Sequence, residues 1–175
     1  MTTIVTPSQT CGPLFGFALL PPDIHQSVPE GHPDAIVIEG DICDFEGKHL
    51  GFDAFVEVWS AEQACRARTF DGRFRVVVVK PRVVRLPGGK PQAPHLHIAL
   101  FARGLTRHLL TRIYFPHETA ANARDPVLQL LSPERRQTLI ATPRPDHRHL
   151  AFDIRLQGAG ETAFLSTRLA PQPGQ

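Results

Sequence analysis

The run Pro94-His95-Leu96-His97-Ile98-Ala99-Leu100-Phe101-Ala102-Arg103 decides the fold class. Side chains alternate across a sheet, so Leu96, Ile98, Leu100 and Ala102 share one apolar face, while His95, His97, Ala99, Phe101 and Arg103 share the other. A strand with one unbroken aliphatic face needs a second apolar layer to pack on, and the chain on either side supplies it. Upstream, the pattern predicts strands at 35–40 and 55–59, with a turn through Glu46-Gly47-Lys48 between them. Asp71-Gly72, set between Thr69-Phe70 and Phe74, predicts a type I′ hairpin, because both central residues of that turn need positive φ. Val76-Val77-Val78-Val79 has no polar residue, as expected of a strand buried on both faces or at a sandwich core, and Lys80-Pro81 ends it. A Pro/Gly-rich loop at 87–91 then leads back to the deciding strand.

Downstream, 108–115 predicts another strand, with Leu109, Thr111, Ile113 and Phe115 on one face. Asp125-Pro126 and Ser132-Pro133 each place a capping side chain before a proline at the first helical position, which predicts two short helices. Residues 150–157 alternate apolar and polar, 158–160 turn, and 162–169 are expected to close a hairpin. The first thirty-odd residues carry too many prolines for regular structure, yet Leu14, Phe15, Phe17, Leu19 and Leu20 are too apolar for a solvated tail. The expectation is an all-β sandwich over 35–175, with a few short helices, preceded by an extended N-terminal arm over 1–34 that lies on a surface of its own domain or of a partner.

Composition agrees with this and narrows the function. Seventeen prolines and thirteen glycines in 175 residues describe a chain that turns often and keeps its elements short. A formal charge of +2, with no Lys/Arg block longer than a pair, argues against nucleic acid and against a charged membrane surface as partners. No stretch approaches the roughly 20 apolar residues of a membrane span, so a cytoplasmic protein is expected. Cys11, Cys43 and Cys65 lack metal-site or redox spacing and read as reduced thiols.

His95-Leu96-His97 is the sharpest local constellation. Two imidazoles at i and i+2 on a strand point the same way, a spacing by which one metal ion can be reached by both, although a polar surface pair has the same spacing. Spacing reveals no anionic ligand beside them. Arg103 shares their face but lies about 20 Å beyond His97 at roughly 3.3 Å per residue, so it serves a different place. An arginine before Gly104 at a strand end is suited to meet a carboxylate with its planar fork. Glu57, Asp153 and Glu161 occupy outward polar positions of alternating strands. Ser8 has no nucleophile-elbow context, and Cys11 has no evident base. The residues alone therefore leave open a stand-alone sandwich that binds a small molecule or protein, and a metal enzyme centred on His95 and His97.

Several segments in order resemble the intradiol ring-cleavage dioxygenases. They include Ser8-Gln9-Thr10-Cys11-Gly12-Pro13, Phe55-Val56-Glu57-Val58-Trp59, Phe70-Asp71-Gly72-Arg73-Phe74 and Lys80-Pro81. Ala93-Pro94-His95, Leu100-Phe101-Ala102-Arg103-Gly104, Thr111-Arg112-Ile113-Tyr114-Phe115 and Phe152-Asp153-Ile154-Arg155-Leu156 are most similar to the α-type subunits of the protocatechuate-cleaving branch. The resemblance spans nearly the whole chain. It implies a β-sandwich that pairs with a homologous β subunit, in which two tyrosines and two histidines hold a non-haem iron(III), and a dihydroxybenzoate substrate cleaved with O2. It further implies that Thr10, Gly12 and Pro13 line the substrate cavity at the subunit interface and that Arg103 acts on the substrate there. This chain has one tyrosine, Tyr114, and Val84 stands where the iron-binding subunit carries a ligand tyrosine, so no iron ligand is expected here beyond His95 and His97 as weak candidates. The stretch between Trp59 and Phe70 is shorter than usual for the family, and Leu14 stands where an aromatic residue commonly follows Gly-Pro.

Overall fold

Alternating apolar positions give each strand two unlike faces, and burying the apolar faces against one another produces two packed layers. The computed structural model describes residues 6–10, 12, 19–44, 46–50, 54–69, 72–85, 87–146 and 148–166. Its strands are β1 (Ala35–Cys43), β2 (Ala54–Trp59), β3 (Ala64–Arg68), β4 (Arg73–Val79), β5 (His95–Ala102), β6 (Leu109–Tyr114), β7 (Thr142–Pro143), β8 (His149–Ala151) and β9 (Ile154–Arg155). One sheet has the order β4-β1-β8-β7, with β9 also pairing with β1, and the other has the order β3-β2-β5-β6. Strand β5 is interior to its sheet, antiparallel to β2 from Ala54↔Ala102 to Trp59↔His97 and to β6 from His95↔Tyr114 to Leu100↔Leu109.

The aliphatic face of β5 enters the main core as its pattern requires. Leu96, Ile98, Leu100 and Ala102 share that core with Ile38, Ile42, Val76 and Val78 of the opposite sheet. Each large aliphatic side chain buried there contributes roughly 1.5–3 kcal/mol before chain entropy is counted. Helices α1 (Thr119–Asn122) and α2 (Pro133–Gln137), with a 3-10 turn (Leu128–Leu130), lie beyond β6. A smaller second core forms there from Ala93, Tyr114, Leu128, Leu139 and Ala163. Ser132 caps α2 by accepting from the Arg135 amide at 3.4 Å. Asp125 accepts from the amides of Val127 and Leu128 and starts the first of the two expected short helices, which is a 3-10 turn.

Three local expectations are corrected. Gly72 has a φ of 79°, as the turn reading requires, while Asp71 lies outside the described residues. The flanking strands belong to different sheets, however: β3 pairs with β2 and β4 pairs with β1, so the chain crosses between layers and no hairpin joins them. The hairpin in this region is β2–β3, with the Ser60 amide donating to the Gln63 carbonyl at 2.9 Å. Its second strand escaped the sequence reading because only the small Cys65 and Ala67 face inward, between charged Arg66 and Arg68. Residues 150–157 form β8 and β9, two short strands parallel to β1. The interruption lies opposite Gly40, where a Cβ would stand 1.7 Å from the Phe152 carbonyl oxygen, and Asp153 Oδ1 accepts the Asp41 amide at 3.0 Å. Thr162 bonds back to Arg155, but Leu165 bridges to Leu110 in the other sheet, so 162–166 is a crossing segment; 167–169 lie outside the described residues.

In the N-terminal segment, residues 24–28 run along the edges of both sheets. The Arg66 amide of β3 donates to the Ile24 carbonyl at 2.8 Å, and the Val77 amide of β4 donates to the His25 carbonyl at 3.0 Å. Val28 packs on Ala35, Val37 and Val77, which accounts for the apolar residues on both faces of β4. Leu14, Phe15 and Phe17 lie outside the described residues. Cys65 is buried, and burial pushes its thiol up to about 12, so it is inert at neutral pH. Cys43 is half-buried, and Cys11 lies outside the described residues. Among the described residues no helix is long and apolar enough to cross a membrane.

Candidate functional site

The face of β5 that turns away from the main core carries a row of rings. Trp59 stacks on His97 with centroids 5.3 Å apart, His97 meets His95 edge-on at 4.9 Å, and His95 lies 5.4 Å from Tyr114. Further along, Phe55 stacks on Phe101 at 4.7 Å and Phe101 on His108 at 5.2 Å. The alternation read from the sequence thus places His95, His97 and Phe101 on one face, as expected, with partners supplied by β2 and β6.

At one end of this row the rings are enclosed. His95 is 1% exposed, and its Nδ1 lies 2.8 Å from the Ala93 carbonyl oxygen, the arrangement of an N–H donor. Tyr114 is fully buried; its hydroxyl donates to Asp125 Oδ1 at 3.0 Å and accepts from Arg112 Nη1 at 3.1 Å. Asp125 Oδ2 accepts the Ala93 amide at 2.9 Å, so this carboxylate ties three segments together. Arg112 pairs directly across from His97 and also donates to Gln92 Oε1 at 2.9 Å, while its buried Nε has no partner among the described residues. Burial holds the His95 imidazole below its ordinary range. Burial, with His95 and Arg112 as neighbouring charges, lowers His97 to about 4, so both rings are neutral at pH 7. Burial also raises the Tyr114 phenol above its ordinary value.

At the other end the face is open. Arg103 is exposed in the turn that follows β5, where Gly104 has a φ of 88°. The Thr10 hydroxyl is bound to both neighbours of Arg103: it accepts the Gly104 amide at 2.8 Å and donates to the Ala102 carbonyl at 3.4 Å. Ser8 and Gln9 then line a cavity of about 690 Å³ with Phe101, Arg107 and His108. The structure therefore brings together Thr10 and Arg103, which lie far apart in sequence. Gly12 is exposed, and Pro13 lies outside the described residues.

Comparison with known proteins adds to this geometry. The chain is 41% identical to a protocatechuate 3,4-dioxygenase alpha chain of Pseudomonas putida, over 91% of this chain and 95% of that one. The chain belongs to the protocatechuate 3,4-dioxygenase alpha-chain family. It is more distantly similar, at 28% identity, to a protocatechuate 3,4-dioxygenase beta chain of Burkholderia cepacia, over 86% of this chain and 78% of that one. Among solved structures it is similar to the dioxygenase domain of a dioxygenase and carbohydrate-binding protein fusion from Streptomyces sp. SirexAA-E. That likeness has a TM-score of 0.59 and 25% identity, over 88% of this chain and 99% of that one. No family model matches the sequence. The chain is accordingly an alpha-type subunit of an intradiol dioxygenase.

The residues of this alpha-type chain do not fit an iron(III) centre of the two-tyrosine, two-histidine kind. Iron(III) requires anionic donors, and the one buried phenol here is engaged by Asp125 and Arg112 and held in its protonated form. The position assigned to a ligand tyrosine is Val84, which pairs with Gln92 through backbone hydrogen bonds of 3.2 and 2.9 Å. Arg112 sets a fixed cation beside both imidazoles. Among the described residues no group of three His, Cys, Asp or Glu could hold a metal ion.

Arg112 and Asp125 are the residues that sequence reasoning passed over. Arg112 sits opposite His97 only through the β5–β6 register, which a single strand does not reveal. Asp125 was read as a helix cap, and it also closes on Tyr114 and Ala93. A buried tyrosine eleven residues before an acidic cap was the available signal, and it is a weak one.

Proposed function

We propose that this chain forms one wall of a dioxygenase site whose iron(III) is held by a homologous β-type partner, in a cytoplasmic complex that cleaves protocatechuate. The carbon–carbon bond between the two hydroxylated ring carbons breaks, both atoms of O2 enter the product, and 3-carboxy-cis,cis-muconate results without an external reductant. The observation that carries the reading is the clasp of Thr10 on both sides of Arg103. It ties Thr10 to the exposed end of β5, which supports the reading that Thr10, Gly12 and Pro13 line the shared cavity near this arginine.

In this role Arg103 meets the substrate carboxylate with its guanidinium fork, and the arm fixes the direction from which the ring enters. The enclosed histidine end plays no part in chemistry. A donor set with a protonated, twice-bonded tyrosine and an adjacent arginine favours iron in the partner over iron in this chain. The rival reading, a non-catalytic stand-alone binding module, makes the opposite forecast in a single experiment. Oxygen uptake with protocatechuate is measured for this chain alone and for the chain co-expressed with a beta-type partner. Uptake only in the co-expressed sample, with iron stoichiometric to the partner, is the expected result; no association between the two chains would establish the rival.

A further inference from the structure

We propose that a cavity on the flank of the enclosed end, between the 83–93 segment and α1, binds a small organic anion carrying two carboxylates. The cavity has a volume of about 600 Å³, within the range of small-molecule sites. Arg85, Lys90 and Arg124 line it, and no carboxylate does. Among the described residues Arg85 and Lys90 have no ion-pair or hydrogen-bond partner, whereas Arg66, Arg73, Arg75, Lys80, Arg82 and Arg135 all pair with acids. Arg124 uses its Nε on the Ala120 carbonyl and keeps its two terminal nitrogens.

The charge behind the cavity adds to that of its rim. Arg112 reaches Gln92, itself a lining residue, at 2.9 Å. Asp125, which bonds the lining residue Ala93, is fully buried and spends its oxygens on Ala93, Val127, Leu128 and Tyr114. Three lining cations and no lining carboxylate leave the cavity wall positive.

Size and lining select an organic ligand over inorganic phosphate. Val83, Ala93 and Ala121 supply aliphatic wall between the cations, which suits a carbon skeleton with a charged group at each end, while Gln92 and Gln129 offer amide donors. A site of this kind holds its ligand by charge-assisted hydrogen bonds and weakens with salt. The assignment does not depend on the dioxygenase reading, since the cavity, its cations and its aliphatic wall all belong to this chain.

Isothermal titration of the full chain with adipate, and with inorganic phosphate and chloride at matched ionic strength, tests it. Saturable binding of one adipate per chain is expected, with an affinity about tenfold weaker in Arg85→Ala/Lys90→Ala and unchanged in Arg144→Ala, an exposed cation outside the cavity. Both cavity residues are exposed and lack described partners, so the double variant should keep the melting temperature of the parent chain. Equal adipate affinity in the parent and the double variant, or no saturable adipate binding, would overturn the site. Phosphate bound in preference to adipate would overturn the organic assignment.

Discussion

At its His95 end the outer face of β5 is roofed over, and its rings are held by Ala93, Arg112 and Asp125; at its Arg103 end the same face gives way to an exposed turn clasped by Thr10. One strand, with one alternation, thus produces an enclosed cluster and an exposed edge, the edge proposed above to be the functional one. The difference is not in residue type, since imidazole and guanidinium are both common in active sites. It lies in what covers them. Burial with hydrogen bonding turns His95 and Tyr114 into core, whereas Arg103 stays exposed beside the Thr10 clasp.

The sharpest break of this contrast is Arg103→Ala. Activity of the reconstituted complex should fall roughly 10- to 100-fold in kcat/KM, the worth of a charge-assisted contact of about 1.5–3 kcal/mol, with iron content unchanged. Retained activity would move the functional edge elsewhere. Tyr114→Phe probes the opposite end. It deprives Asp125 and Arg112 of a partner, which should destabilise the fold by about 1–3 kcal/mol in urea denaturation while activity per folded complex stays constant.

A pH dependence of stability is expected as well. His97 ordinarily titrates near 6.5 and is lowered to about 4 in the fold, so the unfolded chain binds more protons between those values. Stability should therefore decline as pH falls from about 6.5 toward 4 and lose this component of its slope below that. His97→Leu should flatten the window; an unchanged slope would show that His97 titrates normally in the fold and that the enclosed end is wetter than its packing suggests.

The sequence made the β5 faces, the buried Val76-Val77-Val78 run and the Ser132 cap legible because each rests on local periodicity or local hydrogen bonding. It failed where partner strands decide the outcome. Asp71-Gly72 has hairpin chemistry, yet β3 and β4 pair in different sheets. Arg112 was invisible as a neighbour of the histidines until the register of β6 set it opposite His97. The link between Thr10 and Arg103 spans most of the chain, and only the family resemblance pointed to it.

The seam that Ile24 and His25 make along β3 and β4 carries a consequence for how the molecule assembles. Its two carbonyls accept from amides in different sheets, so the seam closes only after those sheets have found each other. It is a long-range closure, and it covers strand edges that would otherwise invite intermolecular pairing. Residues 24–27 thus work as a strap that holds one edge of each sheet to the other.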